Sequence, residues 1–160
     1  GIMDIYREIA AQDIVFQIIV ITGKNQKLYE AFAVELAKSK RRTKLIYFTD
    51  EVEKYMHAAD LLVTKPGGLT VSEALACDIP LAVFDAIPGQ EEDNAQFLLS
   101  HNMAVRIRAG ESCGKTIRIV LADNRRLEDM RSSCERFDKS KSGENILWLI
   151  RSLTGKEKAL

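Results

Sequence analysis

At 160 residues the chain has the length of one ordinary domain, enough to bury a core without disulfide or metal staples. Hydrophobic residues make up 46% of it and charged residues 29%, and 23 basic residues balance 23 acidic ones, so the formal net charge is zero. This is the make-up of a soluble globular protein, and it gives no electrostatic reason for a nucleic-acid partner or a polybasic membrane surface.

Residues 2–11 read as a short helix with Ile2, Ile5 and Ile9 on one side. Residues 15–21 form a nearly continuous apolar, β-branched run, as expected of a strand buried on both faces. Asn25 can cap the next helix, in which Leu28, Phe32 and Leu36 recur at helical spacing. A second strand is expected over 44–48, and Asp50 with Glu53 three residues on has the form of a capping box. A strand over 60–64, a helix over 70–77 and a strand over 80–84 with proline first follow in turn. Residues 90–99 are helical with three acids in the first turn, complementing the helix dipole, and 103–107 are a fifth strand. The stretch 111–153 is helical in pattern, broken near Asn124 and over residues 140–143. Repeated β-α units imply an α/β domain with a Rossmann-like parallel sheet and helices on both faces.

Glycine and polar residues collect after four of the strands: Thr22-Gly23-Lys24-Asn25, Thr49-Asp50, Lys65-Pro66-Gly67-Gly68, and Asp85 through Pro88-Gly89-Gln90-Glu91. In open parallel sheets these carboxyl-end loops form the ligand crevice. A helix that starts at Gly67-Gly68 offers free N–H groups and a positive dipole end, so the layout points to a phosphate-bearing ligand. The alternative is that the glycines only turn tight corners. No G-x-G-x-x-G follows the first strand. Residues 109–116, AGESCGKT, approximate a nucleoside-triphosphate loop, in which Lys115 would meet phosphates and Thr116 a magnesium ion. The loop follows the last strand, however, and no strand ending in a magnesium-binding Asp comes after it. An ordinary helix start fits that context better.

The three cysteines, Cys77, Cys113 and Cys134, are widely spaced with no C-x-x-C pair, which fits free thiols in a reducing cytosol. His57 and His101 have no partner at metal-site spacing, and no metal site is expected. No apolar run approaches the ~20 residues of a membrane span, and no signal peptide is visible. The chain opens Gly1-Ile2-Met3, as a piece cut from a longer protein would.

Residues 64–97, TKPGGLTVSEALACDIPLAVFDAIPGQEEDNAQF, resemble the donor-binding domain of GT-B glycosyltransferases. Within that group the chain is most similar to the diacylglycerol glycosyltransferases, both plant-type monogalactosyldiacylglycerol synthase and bacterial processive diacylglycerol glucosyltransferase. It is more distantly similar to MurG-type lipid N-acetylglucosaminyltransferases. K-P-G-G-x-T-x-x-E and P-G-Q-E-x-x-N carry the resemblance, with support from ITGKN at 21–25 and FTDEVEKYMHAADLLVTKPGG at 48–68. It extends over about residues 12–137.

The resemblance implies the C-terminal, donor-binding half of an inverting transferase that moves a hexose from UDP-hexose to a diacylglycerol-type lipid, with the UDP-sugar as substrate and no cofactor. Uracil would pair with main-chain groups at Phe48-Thr49, and the diphosphate would lie over Gly67, Gly68, Leu69 and Thr70. Glu73 would accept hydrogen bonds from both ribose hydroxyls. Gln90 and Glu91 would meet the sugar hydroxyls, with Asn94 supporting their loop. Gly23 would let the first loop approach the donor, with Lys24 as a phosphate partner. Thr70 and Glu73 also have the spacing of a capping box, Lys65 suits either a donor contact or a solvated charge, and Asn25 suits either a cap or a donor contact. Glu92 and Asp93 are expected to serve only the helix dipole.

Residues 1–11 would be an interdomain helix or linker end, with the isoleucine face on the hinge side, and 12–160 the nucleotide-sugar-binding domain with its C-terminal helices. An N-terminal acceptor domain would hold the general base, so no catalytic residue is expected in this chain. The whole protein would be cytoplasmic and peripheral at the membrane. Within the enzyme class the alternatives are a MurG-like transferase or half of a UDP-N-acetylglucosamine epimerase. Outside it they are a P-loop ATP-binding protein built on 109–116, or a UDP-binding module without chemistry.

Overall fold

The computed structural model describes residues 1–108, 110–137 and 142–154. Along the chain run α1 (Ile2–Ala10), β1 (Ile18–Ile21), α2 (Gln26–Leu36), β2 (Thr43–Ile46), α3 (Val52–Ala58), β3 (Leu62–Thr64) and α4 (Gly68–Ala76). They are followed by β4 (Leu81–Val83), α5 (Gln90–Ser100), β5 (Ala104–Arg106), α6 (Cys113–Ala122), α7 (Asn124–Arg136) and α8 (Ser142–Thr154). The break at Asn124 is present, with Asp123 accepting from Arg126 N at 3.0 Å as the cap of α7. Residues 140 and 141 of the second expected break lie outside the described residues.

Strand pairing is parallel throughout, but it forms two sheets, β1-β2 and β3-β4-β5, instead of the single sheet expected. No ladder bridges β1 and β3; side chains join them instead. Ile18 of β1, with Phe16 before it, packs against the same buried cluster as Leu61 and Val63 at β3. A strand without a ladder on one side is an edge, and the run is correspondingly half-open: Ile19 of β1 is exposed, as is Val15 ahead of the strand. Burial of this run on both faces is therefore not found.

The central strands show why helices must cover both faces. In β4 successive side chains point opposite ways. Leu81 and Val83 enter a core with Met56 of α3, Val71 and Leu75 of α4, and Ala95 and Leu98 of α5. Ala82 and the following Phe84 enter a second core with Ile9 of α1, Ile117 and Val120 of α6, and Met130 of α7. The three-layer arrangement expected from the β-α order is thus present around β4 and β5.

Residues far apart in sequence close the start of the chain. The Arg41 guanidinium donates to the carbonyls of Ala10 (3.2 Å), Ile14 (2.9 Å) and Gln12, and it lies over the Phe16 ring at 4.2 Å. It satisfies the Ala10 carbonyl, which the end of α1 leaves without a helical partner, and two carbonyls of the segment that leads to β1. Tyr6 is buried edge-on against Phe32 of α2, with ring centroids 5.4 Å apart.

α1 is docked against α6. Ile9 is buried, and Ile2 and Ile5 pack on the second core, so the isoleucine face is covered from within this chain. Gly114 permits the contact: a Cβ there would lie 2.4 Å from the Glu8 carbonyl oxygen. The three cysteines are buried, and none is in a disulfide. Burial, then the neighbouring Glu8, pushes the Cys113 thiol up to about 11.

Candidate functional site

Loops leave the carboxyl ends of β1, β2, β3 and β4, and each is held by its own contacts. Thr22, just past β1, donates its N–H to the Ile46 carbonyl at 3.0 Å and its hydroxyl to the Tyr47 carbonyl at 3.3 Å. That fixes the first loop against the second. Gly23 then turns with a φ of +63°, where a side chain would be strained, and Asn25 caps α2 by accepting from Leu28 N at 3.0 Å. The Lys24 ammonium lies 4.7 Å from the centre of the Phe48 ring. Phe48 is half exposed, and Thr49 Oγ1 accepts from Glu51 N at 3.0 Å. α3 starts one residue later than the expected box allows: Glu51 takes the cap position without a side-chain bond, so Asp50 is not the cap.

The third loop is the most informative. Gly67 caps α4, and the helix begins at Gly68. Gly67 has a φ of −68°, and a Cβ at either Gly67 or Gly68 would meet nothing within 4 Å. Neither backbone strain nor internal packing asks for glycine at these two positions. What their bare backbone leaves is open space in front of a helix N-terminus. Val71 N is the first to bond back, to the Gly67 carbonyl at 2.9 Å. The N–H groups of Gly68, Leu69 and Thr70 have no acceptor among the described residues, as the start of a helix dictates.

Because α4 starts at Gly68, Thr70 is its third residue and not its cap, so the capping box at Thr70 and Glu73 is ruled out. Glu73 is exposed, one turn further along, and its carboxylate has no hydrogen-bond or ion-pair partner among the described residues. Lys65 is exposed as well, as is Leu69.

The fourth loop is built from both ends. Asp85 enters it with a φ of +46° and Gly89 turns into α5 with a φ of +102°. The Glu91 carboxylate accepts from Ile87 N at 3.0 Å, closing the loop on itself. Gln90 is exposed at the first position of α5. Asn94, one turn in, donates its amide to the Pro66 carbonyl at 2.9 Å and so ties α5 to the loop before α4.

Glu92 does more than complement the dipole. It takes a two-pronged ion pair from Arg106 of β5, at 2.8 and 3.1 Å, and that guanidinium holds its carboxyl below the usual range. Arg106 was not expected to matter. Its only sequence signal is a charge in an otherwise apolar strand.

Gly23, Lys24, Phe48 and Thr49 thus lie on the two loops that Thr22 ties together, after β1 and β2, and Lys65, Gly67, Gly68, Leu69, Thr70, Glu73, Gln90, Glu91 and Asn94 lie on the loops and helix starts after β3 and β4, which Asn94 ties together. The start of α4 has the free N–H groups to cradle an anion, and the Glu73 carboxylate can accept hydrogen bonds from hydroxyl groups.

The triphosphate-loop look-alike is elsewhere, and its helix start is already filled. Ala109 lies outside the described residues. Ser112 caps α6, accepting from Lys115 N at 3.3 Å. The Glu8 carboxylate of α1 accepts from Ser112 Oγ at 3.0 Å and from Gly114 N at 3.4 Å. These bonds, the first more than the second, hold its carboxyl below the ordinary value of 4.5. An internal anion sits where this reading needs a phosphate.

Comparisons with known proteins bear on the family and the fold. The model of the glycosyltransferase family 28 C-terminal domain matches residues 2–143. The processive diacylglycerol beta-glucosyltransferase of Bacillus subtilis (strain 168) is 29% identical over 147 residues, covering 89% of this chain and 38% of that protein. The enzyme of the same name from Bacillus licheniformis is 29% identical over 131 residues, 82% of this chain and 34% of its own length. The chain therefore spans little more than a third of the curated relatives it matches. In three dimensions, MurG of Acinetobacter baumannii superposes with a TM-score of 0.74 at 16% identity, over 94% of this chain and 48% of that one. At that identity the match speaks for the fold, the GT-B arrangement.

Proposed function

The chain belongs to the glycosyltransferase family 28 C-terminal domain family, and from that premise we propose that it is the donor half of an inverting glycosyltransferase. In this reading it binds a UDP-hexose, and the hexose goes to a diacylglycerol-type lipid. The observation that carries the reading is the start of α4, with two glycines that the chain's own geometry does not require. In front of them lie three N–H groups, and one turn beyond stands the Glu73 carboxylate, all without a partner among the described residues. A diphosphate fits the first feature and a pair of ribose hydroxyls the second. Hexose and lipid as substrate classes rest on the names of the relatives.

In the reaction an acceptor hydroxyl oxygen attacks the anomeric carbon. The bond from that carbon to the β-phosphate oxygen breaks, and the electron pair leaves with UDP. The N–H groups of Gly68, Leu69 and Thr70 stabilise the negative charge that grows on the diphosphate, and the α4 dipole adds to this. The acceptor proton goes to a base outside this chain, in an acceptor domain of the same protein. Diacylglycerol resides in bilayers, so the whole protein would work at a membrane surface. Among the described residues no helix is long and apolar enough to cross one.

Glu73→Gln tests the reading. Glutamine keeps the shape but loses the charge-assisted acceptor pair, worth about 1.5–3 kcal/mol, or roughly 10- to 150-fold in UDP affinity. An exposed side chain without partners should leave the melting temperature nearly unchanged. A large fall in melting temperature with unaltered UDP affinity would make Glu73 structural and remove the ribose site.

A further inference from the structure

We propose that Arg106 is a positioning residue: through Glu92 it fixes the first turn of α5, and through Asn94 that turn fixes the start of α4, which takes the donor's diphosphate. The inference rests on the nucleotide-sugar reading above and goes beyond it, since that reading gives β5 no part in the site.

Each link is a recorded contact or a stretch of continuous chain. Ala104 of β5 enters the first core beside Ala95 and Leu98 of α5. Arg106, two residues on, points to the same side of the strand. It is partly exposed, and its guanidinium grips Glu92 at 2.8 and 3.1 Å, while the Gln96 amide donates to the same carboxylate at 2.8 Å. Asn94, two residues after Glu92, leaves the other side of the helix. It donates to the carbonyl of the buried Pro66 at 2.9 Å. The next residues are Gly67, the cap of α4, and Gly68, its first residue. The first turn of α5 is therefore held from two sides, by β5 and by the loop before α4.

An ion pair this open adds little to stability, and an apolar pair of similar size would hold α5 to β5 as well. The fork of a guanidinium on a carboxylate adds direction, since two parallel bonds fix how Glu92, and with it α5, is turned about the helix axis. Asn94 passes that orientation on. Gly67 turns its own N–H back to the Lys65 carbonyl at 2.8 Å, so the Pro66 carbonyl is where a side chain from another element takes hold of this loop. Donors at a helix start serve an oxyanion best when they are already aimed before it arrives, and the clamp aims those of Gly68, Leu69 and Thr70.

The experiment is calorimetric titration of UDP and UMP into the wild type, Arg106→Met, Glu92→Gln, Asn94→Ala and the double variant Arg106→Met/Asn94→Ala, with amide NMR of the ligand-free proteins. UMP lacks the second phosphate, so the ratio of the two affinities reads the cradle and cancels any general loss of competent protein. Arg106→Met should lower that ratio about two- to tenfold, the scale on which a residue acting through others modulates a site. Glu92→Gln weakens the same link from its more open end and should lower the ratio in the same direction, which keeps the test in hand if Arg106→Met folds poorly. The double variant should be no worse than Asn94→Ala alone, because Arg106 acts only through that bond. The Gly68 and Leu69 amide signals should move in all three single variants.

A lower melting temperature with an unchanged ratio in both Arg106→Met and Glu92→Gln would make the ion pair merely structural and overturn the proposal. So would additive losses in the double variant, or Gly68 and Leu69 amides that stay in place. A wild type that binds UDP no better than UMP would instead remove the phosphate cradle itself, and the role of Arg106 with it, before any variant is compared.

Discussion

Replacing Gly114 by alanine tests whether the GKT-like segment is a packing seam or a nucleotide loop. The added Cβ would stand 2.4 Å from both the Glu8 carbonyl oxygen and Gln12 Nε2, and 2.9 Å from the Glu8 carbonyl carbon. The glutamine amide is the end of a flexible side chain and can swing away. The Glu8 carbonyl is backbone within α1 and cannot. Ordinary contact begins near 3.4 Å, so α1 has to withdraw from α6 by about 1 Å.

A Cβ pressed into rigid backbone puts the cost in the upper part of the overpacking range, about 2–3 kcal/mol, and the better helix propensity of alanine returns about 1 kcal/mol. The net loss is about 1–2 kcal/mol. With an unfolding entropy of about 2.1 cal/mol/K per residue over 160 residues, that lowers the melting temperature by about 3–6 °C. Thermal unfolding followed by circular dichroism measures the shift, and a UDP titration of the same variant below its transition should give wild-type affinity. An unchanged or raised melting temperature would refute the tight seam. Lost nucleotide affinity with intact stability would return the segment to a ligand-binding role.

Asn94→Ala removes the bond to the buried Pro66 carbonyl, so stability should fall by about 1–3 kcal/mol and UDP affinity should weaken as the loop before α4 loses its anchor. Denaturant unfolding and titration check this, and a variant unchanged in both would show that the amide holds nothing. Glu8→Gln should destabilise in a pH-dependent way. The folded-state pKa of Glu8 is depressed by Ser112 and Gly114, so its contribution is present above the ordinary value of 4.5 and is lost as pH falls through the lower folded value. The gap in melting temperature between wild type and variant should therefore be largest near neutral pH and close in acid; a gap that widens on acidification would contradict the assignment.

The β-α order, and with it the presence of helices on both faces of the sheet, was legible in sequence, because it depends on local periodicity. So were the P-G-G and P-G-Q-E loops, whose residue types are unusual wherever they occur. Helix starts were read less well. Thr70-x-x-Glu73 has the letters of a capping box, yet the helix begins two residues earlier at Gly68, since a glycine cap costs only a few tenths of a kcal/mol relative to a side-chain cap.

Contacts between distant residues were not legible at all. Arg41 on three carbonyls, Arg106 on Glu92, and Glu8 on the start of α6 join positions far apart in the chain. A local pattern marks at most one partner, as the charge in an apolar strand does at Arg106, and never the pair. The break in the sheet between β1 and β3 was hidden for a related reason: residues 15–21 have the apolar content of a central strand, and only the observed pairing shows an open edge.

The central claim is that these loops recognise the nucleoside diphosphate of a sugar donor, and calorimetric titration of the wild-type protein with UDP, UMP and ADP tests it most directly. UDP should bind more tightly than UMP, because the second phosphate meets the N–H groups at the start of α4. It should also bind more tightly than ADP, because the main chain at Phe48-Thr49 pairs with uracil. Equal affinity for UDP and ADP would contradict the base assignment, equal affinity for UDP and UMP the phosphate cradle, and no binding of UDP the site as a whole.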